Sequence, residues 1–133
     1  MSATPLIHVL AGVLLDAQGR VLFAQRPAGK HLAGQWEFPG GKREPGETPA
    51  QALARELVEE LGISVLQAEP LVAVPWRYGV CELLLDAWRV VQWDGTPCSA
   101  EGQALQWLPP GQMDVSTLAG ADRLVLSALL RAR

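Results

Sequence analysis

The stretch from Thr48 to Gly62 carries its own start and stop signals. Thr48 can cap a helix, Pro49 suits the first helical position, and Gln51 stands where it would complete a capping box. Gly62 sits where a helix ends in a left-handed glycine. The spacing predicts a helix over 49–61 with two unlike faces. Ala50, Leu53, Ala54, Leu57 and Leu61 make an apolar stripe that must lie on a core. Glu56, Glu59 and Glu60 fall on another face, within an arc of about 100°. Three adjacent carboxylates repel one another. Such a face is either simply solvated or one wall of a cation site. Lysines four residues on would favour the solvated face, but Arg55 is the only cation in the helix. Oxygen ligands of this kind suit a hard divalent ion, magnesium first.

Around this helix the chain reads as strands. Ile7 to Leu15 is apolar and branched, Asp16-Ala17-Gln18-Gly19 is a turn, and Arg20 to Gln25 is expected to pair back as the second arm of a hairpin. Pro27 to Gly34 reads as a loop. Leu66 to Val74, Val80 to Gln92 and Leu105 to Leu108 read as further strands, and Ala121 to Leu130 as a final helix. Strands on both sides of one helix, with another helix at the end, indicate the α+β class, a mixed α/β sandwich. With 133 residues, no repeat and no linker, residues 1–133 are expected to form one domain.

Composition narrows the function. At 49% hydrophobic and 19% charged, the chain can bury a proper core. A net charge of −3 argues against binding a nucleic-acid polymer, and an acidic protein that handles phosphates needs a positive ion between them. Cys81 and Cys98 match neither a zinc nor a redox spacing and read as free thiols. Val9 to Leu15 is too short to span a bilayer and lacks the basic flank of a signal peptide. A cytoplasmic protein with no membrane contact is expected, a monomer unless a dimer forms.

Two features of the loop before the helix matter. Glu44 and Glu47 stand ready to close the acidic site, and the Arg55 guanidinium can pair with Glu47 to fix loop against helix. Gly40-Gly41 is either a plain turn or a place where backbone approaches a metal or phosphate.

Together these residues resemble the Nudix box: Gly41, five residues, Glu47, seven residues, then Arg55-Glu56-Leu57-Val58-Glu59-Glu60-Leu61-Gly62-Ile63, with nine specified positions over 23 residues. The resemblance to the MutT branch extends to Gln25-Arg26, His31, Trp36-Glu37-Phe38-Pro39-Gly40-Gly41-Lys42, Glu101-Gly102-Gln103, Trp107 and Ala121-Asp122. It implies the Nudix fold, an α/β/α sandwich around a mixed sheet. It also implies hydrolysis of a nucleoside triphosphate to a monophosphate and pyrophosphate with Mg2+, or Mn2+ as a substitute. By the same resemblance Glu56, Glu59, Glu60 and the Gly41 carbonyl hold the metal, and Glu101 is a further ligand or base. Glu47 and Arg55 complete the catalytic set.

Arg26 resembles a substrate-contacting arginine, and Lys42 can join it on phosphate oxygens unless it is merely solvated. Either Glu56 or Glu101 can take the proton of the attacking water. Phe38 and Tyr78 are assigned to the substrate. Trp36, Trp76, Trp88, Trp93 and Trp107 are assigned to core or hairpins, and His31 to a structural or surface role. Asp122 stands where MutT has an asparagine that contacts the purine. An ionised Asp122 only accepts hydrogen bonds, which suits the amino group of cytosine or adenine better than the O6 of 8-oxoguanine. Asp122 also reads as a helix N-cap. The resemblance favours 8-oxo-dGTP as substrate, and the Asp122 chemistry favours a cytosine nucleotide, as in the similar CTP pyrophosphohydrolase branch. A catalytically silent nucleotide-binding module is the remaining class, disfavoured because every acid of the box is present.

Overall fold

The computed structural model describes residues 6–30 and 32–132, with Tyr78 described in its backbone only. His31 and the Tyr78 side chain therefore lie outside the described residues. β1 (Ile7–Leu14) runs between two cores. Its side chains alternate, as strand geometry requires. Leu10 and Leu14 pack with Leu53, Leu57 and Leu61 of α1 (Pro49–Leu61). Ala11 and Val13 pack with Val125, Leu126 and Leu129 of α2 (Asp122–Arg131). β2 (Val21–Gln25) repeats the division, with Leu22 on the α1 side and Val21 and Phe23 on the α2 side. The strands thus form a layer with one helix on each outer face, the expected mixed α/β sandwich.

The layer holds two sheets. β4 (Gly40–Lys42), β1, β6 (Cys81–Asp94) and β5 (Ser64–Tyr78) form the first in that order. Its β1–β6 pair is parallel and the others antiparallel, so the sheet is mixed. β3 (Trp36–Glu37), β2 and β7 (Leu105–Leu108) form the second, which is antiparallel.

The first two strands do not form the expected hairpin. Only Leu15 and Val21 bridge; β1 pairs with β4 and β6, and β2 with β3 and β7. The turn itself is present, since Asp16 accepts from the amides of Gln18 and Arg20 at 2.9 and 2.8 Å. Turn chemistry fixes the reversal of the chain but not which neighbours each strand takes. Both strands are buried on two faces, and each occupies the middle of its own sheet.

β5 and β6 are longer than the composition suggested, and only Gly79 and Val80 separate them. Pro70 and Pro75 both lie within β5, which is an edge strand, where a missing N–H is tolerated. α1 has the predicted bounds. Thr48 Oγ1 accepts from Gln51 N at 3.1 Å, Gln51 Oε1 accepts from Thr48 N at 2.9 Å, and Gly62 closes the helix at φ 69°. Among the described residues, no helix is long and apolar enough to cross a membrane.

Candidate active site

Phe38-Pro39-Gly40 is the crossing point of the fold. The Pro39 carbonyl accepts from Gly12 N of β1 at 2.7 Å. Gly40 N donates to Glu60 Oε2 of α1 at 3.1 Å, and Phe38 N donates to Asp122 Oδ1 of α2 at 2.9 Å. Glu60 and Asp122 are the two buried charged residues among those described. Both line one cleft of about 490 Å³, within the usual range for small-molecule sites.

The expected residues divide around this cleft. Arg26, Phe38, Gly41, Lys42, Glu56 and Glu60 line it, as do Glu101 and Asp122. Glu47, Arg55 and Glu59 do not. Arg55 lies behind the acids and organises them. Its Nε and Nη2 donate to Glu47 at 2.7 and 3.0 Å, and Nη2 also donates to the Lys42 carbonyl at 3.0 Å. Its Nη1 donates to Glu56 at 3.0 Å and to Glu59 at 3.3 Å. Glu59, at 58% side-chain exposure, turns toward Arg55 and not into the cleft. Glu47 supports the loop instead of closing the site, because its Oε1 also accepts from Glu44 N at 2.8 Å. The Arg55 hydrogen bonds hold the Glu47 carboxyl below its ordinary range, and Glu47 and its acidic neighbours push the Arg55 pKa up.

Burial raises the Glu60 pKa to about 8; the Gly40 hydrogen bond opposes this, and the charges of Glu37, Glu101 and Glu56 add to it. Burial likewise raises Asp122 to about 7 against the Phe38 hydrogen bond, with Glu37 adding and Arg26 opposing. Glu101 is brought opposite α1 by the backbone. Ala100 N donates to the Glu60 carbonyl at 3.0 Å, and Cys98 N to that of Leu61 at 3.1 Å.

Asp122 is not the N-cap of α2. That position belongs to Ala121, which makes no side-chain cap bond. Asp122 is the first helical residue, and its carboxylate leaves its own helix for the Phe38 amide across the fold, so the cap reading is corrected.

Sequence reasoning missed Glu37, Gln103 and Trp76 as cleft residues. Glu37 pairs with Arg26 at 2.7 Å, yet burial still raises its pKa. The signal was an acid between two aromatics, Trp36 and Phe38, a context in which charge is costly to bury. Trp76 carried no signal separating it from a core residue.

The donor set fits a hard divalent cation. It is all oxygen, it is crowded with negative charge, and a Cβ at Gly41 would collide with the Glu56 carboxylate, so only glycine leaves that carboxylate its place. Among the described residues, no three acidic, histidine or cysteine side chains already converge at ligand distance.

Known proteins are similar to this chain in sequence and fold. The NUDIX domain family model matches residues 10–128. A CTP pyrophosphohydrolase of Escherichia coli (strain K12) is 41% identical over 128 residues, covering 96% of this chain and 94% of the relative. An 8-oxo-dGTP diphosphatase of Haemophilus influenzae is 36% identical over 125 residues, covering 94% and 92%. The crystal structure of a MutT NUDIX hydrolase from Burkholderia pseudomallei superposes with a TM-score of 0.86 at 25% identity, covering 95% of this chain and 99% of that one. Matched by the family model over most of its length and by relatives along nearly all of theirs, this chain belongs to the NUDIX domain family, in the MutT-like branch.

Proposed function

We propose that this Nudix enzyme is a Mg2+-dependent pyrophosphohydrolase that cuts a nucleoside triphosphate into a monophosphate and pyrophosphate. One observation carries the reading: a single cleft joins the acid cluster of Glu56, Glu60 and Glu101 to an apolar wall with a buried carboxylate, Asp122. The first part suits a polyphosphate held through a cation, and the second a nucleobase. Relatives named for CTP and for 8-oxo-dGTP support the substrate class.

Glu56, Glu59, Glu60 and the Gly41 carbonyl hold Mg2+, which Mn2+ can replace, with Glu101 as a further ligand or base. When bound, the ion neutralises phosphate oxygens and acidifies a water. Arg55 orients Glu56 and Glu59 and locks the loop through Glu47. Lys42 and Arg26 face phosphate oxygens, and Glu56 or Glu101 takes the proton of the attacking water. Phe38 lines the cleft beside the base, and Tyr78 is placed with it by sequence alone. The enzyme is proposed to work as a monomeric single domain in the cytoplasm on free nucleotides, away from polymers and membranes.

For the base, 8-oxo-dGTP is the first reading. The Asp122 position favours a cytosine nucleotide as the second. An ionised Asp122 can accept from the cytosine amino group, whereas a protonated one can donate to a carbonyl such as O6. A pKa near 7 makes both forms accessible.

The test is a panel of normal and oxidised nucleoside triphosphates, assayed with Mg2+ at low substrate concentration. Monophosphate plus pyrophosphate is expected. Orthophosphate as product, or no turnover of any triphosphate with Mg2+ or Mn2+, overturns the reading. In oxygen-18 water the label should enter pyrophosphate, by attack at the β-phosphorus; label in the monophosphate reverses that choice.

A further inference from the structure

Gly120 precedes α2 by two residues and lies in the cleft wall beside Trp76 of β5. Its φ lies outside the left-handed region, so its backbone conformation would accept any residue. Space would not. A Cβ there would meet Cζ2, Cε2 and Nε1 of Trp76 at 2.8, 2.9 and 3.0 Å. These are consecutive atoms of one rigid ring edge, and they cannot yield as the tip of a flexible chain can. The backbone cannot easily retreat either. Ala119 N donates to the Trp36 carbonyl at 2.8 Å, and Arg123 N donates to the Gly120 carbonyl at 3.2 Å. Trp76 is also held by its strand, in register with Leu83 of β6, which lines the same cleft. An added methyl group would therefore be relieved by turning the indole.

We propose that Gly120 is a specificity-determining spacer. By leaving room for the indole edge against the start of α2, it sets Trp76 as the surface on which the planar base of the substrate rests, beside Asp122. This deepens the proposed triphosphate hydrolysis and rests on it. The ligand class is a nucleobase of a triphosphate, held by stacking, which is tolerant of base identity because every base has a π-face. Asp122 then discriminates by hydrogen bonding, and the placement of the ring decides which ring systems reach it.

The test is a cycle of Gly120→Ala, Trp76→Ala and the double variant. Each is assayed with Mg2+ on dGTP, 8-oxo-dGTP, CTP and base-free inorganic tripolyphosphate. Trp76→Ala is expected to raise KM for the nucleotides by roughly tenfold, the scale of one lost base–aromatic stack, and to affect tripolyphosphate, which has no base to stack, less than any nucleotide. Gly120→Ala is expected to raise KM in the same direction and to change the order of preference among the three nucleotides. Adding Gly120→Ala to Trp76→Ala should change nothing further, because the space under the lost ring is open.

An unchanged nucleotide KM in Trp76→Ala overturns the proposal. So does an equal effect of Gly120→Ala with and without Trp76, which would mark a merely structural glycine. If Gly120→Ala does not fold, the double variant decides: kinetics matching Trp76→Ala support the spacer, and any further loss refutes it. Failure of wild-type protein to hydrolyse any triphosphate would instead strike the underlying hydrolase reading.

Discussion

Glu60 and Asp122, from different helices, dock on amide groups two residues apart, at Gly40 and Phe38. Both amides belong to the short link from β3 into β4, so one segment sets the separation of Glu60 from Asp122. The cleft is in this sense measured out by Phe38-Pro39-Gly40.

Asp122 should tie stability to pH. Its folded pKa of about 7 lies above its unfolded value, so the native state binds the proton more tightly. Its contribution is fully present below about pH 4 and is lost as pH rises toward 7. Asp122→Asn keeps an acceptor for Phe38 N and removes the charge. The variant is expected to gain stability over wild type across that window, reaching on the order of 1–4 kcal/mol at pH 8. Urea titrations at pH 5, 6, 7 and 8 check this; a pH-independent difference would remove Asp122 as the source.

The same substitution should move base preference. Asparagine can donate and accept at once, matching O6 and N7–H of 8-oxoguanine. The ratio of kcat/KM for 8-oxo-dGTP over dCTP is expected to rise by roughly tenfold, the scale of one hydrogen bond matched against one mismatched. An unchanged ratio would take Asp122 out of base selection.

Glu59 tests the ligand assignment, because it faces Arg55 and lies outside the cleft lining. If it turns inward to hold the ion, Glu59→Gln should lower kcat to roughly a hundredth or less. Its exposure implies a melting temperature close to wild type. Near-normal turnover would show that Glu56 and Glu60 suffice without it.

Arg55→Lys keeps the charge but loses the planar fork that holds Glu47 and reaches Lys42, Glu56 and Glu59. Metal affinity or kcat should fall about 10- to 100-fold, as when the partner that orients a ligand is removed. Titration with Mn2+, followed by electron paramagnetic resonance, reads the affinity directly. Wild-type values in both would reduce Arg55 to a surface pairing.

Gly41→Ala would place a methyl group on the Glu56 carboxylate. The carboxylate must swing away, so activity is expected to fall by roughly tenfold or more. Raising Mg2+ should restore only part of it. Full recovery at high Mg2+ would mean that the displacement affects affinity alone.

Much of this architecture was legible because local signals agreed. The α1 caps, its acids and the Leu53, Leu57 and Leu61 of its stripe all pointed to one helix with one buried face, though Ala50 is exposed and Ala52 is buried instead, and the Arg55–Glu47 pairing followed from spacing and guanidinium chemistry. What was hidden depended on contacts distant in sequence. Asp122 reads as a cap on any local view, and only the fold brings the Phe38 amide, 84 residues away in sequence, within reach. Turn residues could not reveal that β1 and β2 belong to different sheets. Trp76 looked like one more core aromatic, because the backbone that packs on it lies beyond β7.

β1 has a consequence for how this chain can vary. Because its two faces serve α1 and α2 separately, adding one residue within Ile7–Leu14 would swap both sets of side chains at once. Helices α1 and α2 would lose their footing together. The same addition in the exposed turn at Ala17 and Gln18, outside either sheet, should leave both helices seated. Between Ile7 and Gln25, single-residue additions should therefore be tolerated in that turn and not within the strands, and a library of insertions should show the boundary as a sharp step in folding yield.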